Sequence, residues 1–260
     1  MHKTLESDIN DMTNPNTQTT GTFYGVGVGP GDPELLTIKA HRLIQQADLV
    51  TYLSSESGNA MARTISSASL NKASNPLQQE HAIVMPMNEN RDNINLVYDE
   101  AAKIIANHLD DGKDVVFLCL GDPFFFGSFA YLHDRLNDQY PVKTIPGVTA
   151  INASVALTGR PIGLLAENSA VISGRRGDDD ILQTLKQFDN IAIMKPGRRR
   201  PDLLRLIEQA GRSSDSCYIE YAGQPNQKIV YDINTLDDAV TGPYFSLFLV
   251  SKSRNYSPGK

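Results

Sequence analysis

Short apolar runs alternate with amphipathic helical stretches almost without interruption from residue 22 to residue 251. No other feature constrains the fold so tightly, because βα units align their strands in parallel and cover the sheet with helices. In the first half the strand candidates are "TFYGVGV", "DLVTYL", "HAIVMPM", "DVVFLCL" and "PVKTI". The clearest helix between them is "NINLVYDEAAKIIANHLDDG". Its Ile94, Val97, Ala101, Ile104, Ile105 and Leu109 recur at helical spacing, and Gly112 supplies the stop. Pro146 and Gly147 in "IPGVTA" then interrupt the pattern before a new helix, "VTAINASVALTG". The second half gives the strand "SAVISG", a helix around "DILQTLKQF", the strand "NIAIMK" and the helix "PDLLRLIEQAG". After these come "CYIEYA", "QKIVY" and "YFSLFLVS", close enough together to include antiparallel pairs.

The expected fold class is therefore α/β, with two α/β domains built on mainly parallel sheets, the second of them mixed. The boundaries fall at residues 21–145 and 146–253. A polar tail over residues 1–20, rich in Thr and Asn, reads as disordered, and residues 254–260 form a second tail. The cleft between two such domains is the default ligand site.

Composition narrows the function. A chain of 260 residues with 40% hydrophobic and 21% charged residues matches a water-soluble globular protein with ample core. No apolar run approaches the ~20 residues that span a bilayer, and the N-terminus lacks the basic start and apolar core of a secretory signal. We expect a cytoplasmic location and no membrane partner. Cys119 and Cys217 both sit in strand candidates, where cysteine behaves as a small buried hydrophobe. The five histidines show no paired ligand spacing, so no metal site is expected. A net charge of −6 argues against nucleic acid as a general partner.

The stretch "GTFYGVGVGPGDPELLTIKA" brings several glycines to the end of the first strand candidate. It is not a dinucleotide fingerprint: reading from Gly25 and Gly27 the third glycine position holds Pro30, and from Gly27 and Gly29 it holds Asp32. Nor is it a phosphate loop, because Gly31 is followed by Asp32 and Pro33 rather than Lys and Ser or Thr. What remains is a strand, a tight glycine turn and a helix. Glycine there admits positive φ and removes a side chain where another group must come close.

Two basic clusters follow strand candidates. "SGRRG" carries Arg175 and Arg176, and "MKPGRRRPD" carries Lys195 with Arg198, Arg199 and Arg200. A solvated loop and an anion site both fit such clusters. A solvated loop is the commoner case, and their position at strand ends, where open α/β sheets bind ligands, brings the second reading level with it.

The segments "GVGVGPGDPELLT", "CLGDPFFFGSFAYLHDRL", "IPGVTA" and "IAIMKPGR" occur in an order that resembles the tetrapyrrole (corrin/porphyrin) methylases, from about Phe23 to Ser251. "GDPFFFGSFAYLHDRL", "GNAMARTI" and "MPMNENRDNINLVYDEAAKIIANHL" resemble the branch that methylates C20 of precorrin-2 in cobalamin synthesis. The resemblance implies a two-domain fold, S-adenosylmethionine as methyl donor, a tetrapyrrole substrate in the cleft, and a homodimer. It also implies that the glycines keep side chains clear of donor and macrocycle. By the same resemblance the donor-binding positions are Pro30, Leu120, Gly121, Asp122, Phe125, Thr149, Ala150, Met194 and Ala222. Asp122 is suited to the donor's ammonium or ribose hydroxyls, the Thr149 hydroxyl and N–H to the donor at a helix start, and Met194 to an adenine face. Taken singly, these residues equally suit an N-cap aspartate, an N-cap threonine and a core methionine.

The carboxylates of precorrin-2 call for arginines, and the candidates are Arg160, Arg175, Arg176, Arg198, Arg199 and Arg200. No residue announces itself as the base for the C20 proton; Tyr24 and His133 are candidates that equally suit buried or capping roles. Leu53 stands where the uroporphyrinogen-III branch has an aspartate, and that branch's lysine-containing segment is absent. Leu120 stands where the C20 branch often has an acidic residue. Three alternatives stay open: the cobalt-containing substrate of the anaerobic route, another methylase such as a uroporphyrinogen-III, diphthine-synthase or ribosomal-RNA type, and a binding module without catalysis.

Overall fold

The structure, a computed structural model, describes residues 20–86 and 91–252. Apart from residue 20, the expected tails at 1–20 and 254–260 lie outside the described residues. The chain divides into two compact units. The first gathers residues up to Val26 with Lys39–Cys119 and Ser128–Ile145; the second gathers Gly27–Ile38, Leu120–Gly127 and Pro146 onward. Two stretches drawn with the first domain in the sequence, 27–38 and 120–127, thus group by their contacts with the second unit.

In chain order the first unit contains β1 (Phe23–Gly27), α1 (Ile38–Gln46), β2 (Leu49–Ser55), α2 (Met61–Ile65), α3 (Ser67–Leu70) and β3 (Gln79–Met85). It continues with α4 (Arg91–Asp110), β4 (Val115–Cys119), α5 (Phe129–Leu136) and β5 (Val142–Ile145). Its five-stranded sheet is all parallel, in the order β3-β2-β4-β1-β5. The five residues of β4 are all buried, which is why the strand reads as one apolar run rather than an alternation. Along α4 the buried stripe is Tyr98, Ala101, Ala102, Ile105 and Leu109, and Gly112 at φ 76° ends the helix. Phe129 of α5 joins this core, packing on Phe23 and Phe117 with ring centroids 5.4 and 6.4 Å apart.

The second unit contains α6 (Ala150–Thr158), β6 (Ser169–Ser173), α7 (Asp178–Gln187), β7 (Asn190–Met194) and α8 (Arg200–Gln209), then β8 (Ser216–Glu220), β9 (Lys228–Val230) and β10 (Ser246–Val250). The strand order is β6-β7-β10-β8-β9. β6 and β7 are parallel, whereas β10 runs antiparallel to β7 and β8, and β8 to β9. The mixed sheet is as expected.

Side-chain alternation along β8 and β10 puts two cores on opposite faces of this sheet. Tyr218, Phe248 and Val250 pack with Ile181 and Leu185 of α7 and Leu203 and Ile207 of α8. Cys217, Ile219, Leu247 and Leu249 pack with Ile151 and Ala153 of α6. Three acidic residues, Asp178 to Asp180, open α7 where the helix dipole favours them. Pro201 occupies the start of α8, where its missing N–H costs nothing. Both cysteines are buried, Cys119 in β4 and Cys217 in β8.

Candidate functional site

All nine donor positions inferred from the sequence fall in the second unit, and its loops bring their backbones together. Gly29 and Gly121 form an isolated antiparallel bridge, Gly121 N–H donating to the Gly29 carbonyl at 2.8 Å. Asp122 then accepts from Phe124 N–H on one oxygen, 3.0 Å, and from Gly147 N–H on the other, 3.1 Å. The Gln224 side-chain amide donates to the Pro30 carbonyl at 3.4 Å, tying the glycine turn to the loop that carries Ala222. Ala150, Met194 and Ala222 meet in the core cluster on the α6 face of the sheet.

The glycines are explained by this convergence. A Cβ on Gly147 would stand 2.1 Å from the Gly121 carbonyl oxygen, and one on Gly27 would stand 2.6 Å from the same atom. A Cβ on Gly31 would meet the backbone of Gly223 at 2.7 Å. Their side chains are therefore excluded by neighbouring backbone, whatever ligand lies beyond. Clearance from donor and macrocycle was the expected reason; the close contacts are between loops of the protein itself.

Thr149 caps α6. Its hydroxyl accepts from Asn152 N–H at 3.2 Å and donates to Asn152 Oδ1. The hydroxyl proton and one lone pair are thus used by the cap, which leaves one lone pair and the backbone at the helix start for the expected donor contact. Asp122 keeps capacity: a carboxylate offers about four lone-pair sites, and two are used here. Met194 ends β7 half-buried, and Phe125 is exposed.

Two residues that sequence reasoning missed, Phe126 and Tyr221, and one that it placed only in a basic cluster, Lys195, flank these positions. Phe126, Lys195 and Tyr221 adopt left-handed backbone, with φ of 56°, 57° and 52°. Each is next to a donor position: Phe125, Met194 and Ala222. Such conformations cost non-glycine residues about 1–3 kcal/mol and persist only where surrounding structure holds them. Lys195 is the more unusual because it precedes Pro196, and residues before proline favour extended backbone. Nothing in an amino-acid string marks these residues as strained.

The six arginines do not act alike. Arg200 is buried at 6% exposure. Its guanidinium donates to the Val240 carbonyl at 2.9 Å, pairs with Glu220 at 3.6 Å and lies 5.6 Å over the Tyr218 ring. Arg199 donates to the carbonyls of Gly174 and Arg176 and pairs with Asp178, stapling the loop between β6 and α7. Both guanidiniums are engaged by protein partners, Arg200 in the interior and Arg199 at the half-buried start of the α8 turn. Arg160 donates to the Asp215 carbonyl at 3.1 Å and stacks near Tyr231. Arg176 pairs with Asp180 one helical turn on, at 2.9 Å. Arg175 and Arg198 are exposed and make no ion pair among the described residues.

Tyr24 and His133 lie in the first unit. Lys143 Nζ stands 5.9 Å from the Tyr24 ring, and His133 packs edge-on against Phe129 and lies 3.5 Å from Asp134. A groove of about 300 Å³ lined by β3 and α4 residues, among them His81, Ile83, Leu96 and Ile104, holds none of the candidate residues. Among the described residues no helix is long and apolar enough to cross a membrane.

The tetrapyrrole (corrin/porphyrin) methylase family model matches residues 22–239. A precorrin-2 C(20)-methyltransferase from Sinorhizobium sp is 32% identical over 234 residues, 88% of this chain and 95% of that protein. The cobalamin biosynthesis protein CobIJ of Mycobacterium bovis is 33% identical over 242 residues; the match takes 90% of this chain, which spans about half, 46%, of that longer protein. Among solved structures, uroporphyrin-III C-methyltransferase from Thermus thermophilus, in complex with S-adenyl homocysteine, superposes with a TM-score of 0.62 at 24% identity, over 89% of this chain and 92% of that one. With the glycine-lined convergence of loops, the parallel first sheet and the mixed second sheet, these matches place the chain in the tetrapyrrole (corrin/porphyrin) methylase family.

Proposed function

We propose that this chain is an S-adenosylmethionine-dependent methyltransferase that adds one methyl group to C20 of precorrin-2. The observation that carries the reading is the convergence of Pro30, Gly121, Asp122, Ala150, Met194 and Ala222 in one unit, from five separate stretches of chain. The name of the Sinorhizobium relative, matched over nearly its whole length, supports the substrate. Leu53, in place of an aspartate, supports C20 over the uroporphyrinogen-III reaction.

The residues fit the donor. Asp122 retains lone pairs for an ammonium or for ribose hydroxyls, and Met194 offers a polarizable surface in the same cluster as the small side chains of Ala150 and Ala222. S-adenosylmethionine supplies a methyl group on a sulfonium, already activated for in-line displacement. The protein's work is positioning: its loops must hold the methyl carbon about 3–3.5 Å from one macrocycle carbon and keep water out. Of the six candidate arginines, exposed Arg175 and Arg198 make no ion pair among the described residues and are left to receive peripheral carboxylates. A cytoplasmic homodimer completes the proposal, and sedimentation velocity measures the assembly.

Purified protein should be incubated with S-adenosylmethionine and, separately, metal-free precorrin-2, its cobalt form and uroporphyrinogen III. One methyl group at C20, located by mass spectrometry and NMR, is expected from precorrin-2. Two methyl groups on uroporphyrinogen III at a comparable rate would refute the branch.

A further inference from the structure

Four large aromatic side chains in the second unit, three of them consecutive, are left open to solvent, and two of them lie beside the Lys195 ammonium. Phe124, Phe125, Phe126 and Tyr244 are 52%, 37%, 39% and 55% exposed. Lys195 Nζ donates to the Phe126 carbonyl at 2.9 Å and stands 5.9 Å from the ring centroids of both Phe126 and Tyr244. The contacts continue from ring to ring: Phe125 meets Phe126 edge-on at 5.4 Å, Tyr244 meets Phe245 at 5.1 Å, and Phe245 meets Tyr221 at 6.3 Å.

Two features set this cluster apart from incidental surface. Exposed aromatics grouped together mark a binding surface more often than scattered ones do. Both partners of the central hydrogen bond, Lys195 and Phe126, are also held in left-handed backbone. The strain fixes where the lysine stem leaves β7 and where the Phe126 carbonyl points. An ammonium has three donors, and the bond to Phe126 takes one.

We propose that Lys195 is a specificity-determining residue: it pairs with a peripheral carboxylate of the macrocycle, whose flat apolar face rests on Phe124, Phe125, Phe126 and Tyr244. The inference rests on the tetrapyrrole reading above and adds to it a cation beyond the arginines, together with the shelf. Charge and shape both select this occupant. A planar apolar ligand fringed with carboxylates matches an aromatic surface with one cation set among its rings, whereas a neutral apolar ligand would leave the ammonium unpaired.

The test compares the parent with Lys195→Met, which keeps the stem and removes the charge, and Lys195→Arg, which keeps a charge. Precorrin-2 binding is followed by absorbance titration, turnover by methyl transfer, and S-adenosylhomocysteine binding by calorimetry. Lys195→Met should raise Kd and KM for precorrin-2 about 10- to 100-fold, with S-adenosylhomocysteine affinity unchanged, and Lys195→Arg should restore most of the loss. Tyr244→Leu, which leaves the strained backbone untouched, should raise KM several-fold and serves if Lys195→Met does not fold. Equal precorrin-2 binding by the parent and these variants overturns the proposal. A parent that binds precorrin-2 through Lys195 but does not methylate it overturns the functional reading alone, and a parent that does not bind precorrin-2 overturns both.

Discussion

The Asp122 carboxylate accepts a hydrogen bond from the Gly147 backbone N–H at 3.1 Å, across 25 residues of sequence. This one contact joins the loop after β4 to the loop that starts α6. Its other oxygen holds Phe124 N–H two residues on, a turn that aspartate forms readily. Asp122 thus shapes the loops and is itself one of the positions we propose for the donor, so its removal should be felt in both.

Asp122→Ala should weaken S-adenosylhomocysteine binding by about 1.5–3 kcal/mol if a charged hydrogen bond to the ligand is lost. Asp122→Asn, which retains one acceptor oxygen for a backbone N–H, should fold closer to the parent yet bind nearly as poorly. Calorimetry beside thermal melts separates the two effects. Unchanged affinity in a folded Asp122→Ala protein would remove the ligand contact and leave only the turn.

Gly147→Ala should destabilise the protein by about 1–3 kcal/mol, because the new methyl has backbone rather than a movable side chain before it. Gly177→Ala is the control, since no atom lies within 4 Å of a Cβ built there. Urea denaturation of both variants tests the assignment. Equal midpoints would mean that the loops part easily and that the glycines serve only the ligand.

The α/β alternation was legible because buried parallel strands such as β4 are unbroken apolar runs and α4 is long enough to show its period. α3 and α5 span four and eight residues, too short for a stripe to stand out, and "FAYLHDRL" served only as a motif. The proposed donor positions came from order and resemblance, and their meeting in one unit rests on loop contacts with no periodic signature. The arginines mark the limit most clearly. Arg198, Arg199 and Arg200 are consecutive and chemically identical, yet the turn into α8 sends Arg200 inward to Glu220, Arg199 to Asp178 and Arg198 to solvent.

Arg200→Ala should therefore act on stability and the exposed arginines on substrate. Removing buried Arg200 leaves Glu220, whose side chain is 13% exposed, without its partner and the Val240 carbonyl without its donor, a loss of about 3 kcal/mol. Neutralising Arg175 and Arg198 together should leave the urea midpoint near that of the parent and raise KM for the tetrapyrrole, more so at low salt. Normal kinetics at every salt concentration would return these two residues to the solvated surface.

Alkaline pH should weaken the second unit through β8. Burial raises the Cys217 thiol above its ordinary 9.0, the Arg160 guanidinium opposing this more weakly, and burial raises the Tyr218 phenol above its ordinary 10.0. The folded state therefore keeps both protons at pH values where the unfolded chain has released them. Between the unfolded and folded values the native state binds more protons, so the free energy of unfolding falls as pH rises. The contribution is fully present below about pH 9 and is lost as pH climbs through the folded values. Urea midpoints measured from pH 8 to pH 11 should fall progressively, and Tyr218→Phe should flatten the upper part of that decline. At pH 8 the native Cys217 thiol should resist a thiol reagent that labels it in urea. A midpoint independent of pH across this range would show that neither group changes its proton affinity on folding, and burial of β8 would not be what holds them neutral.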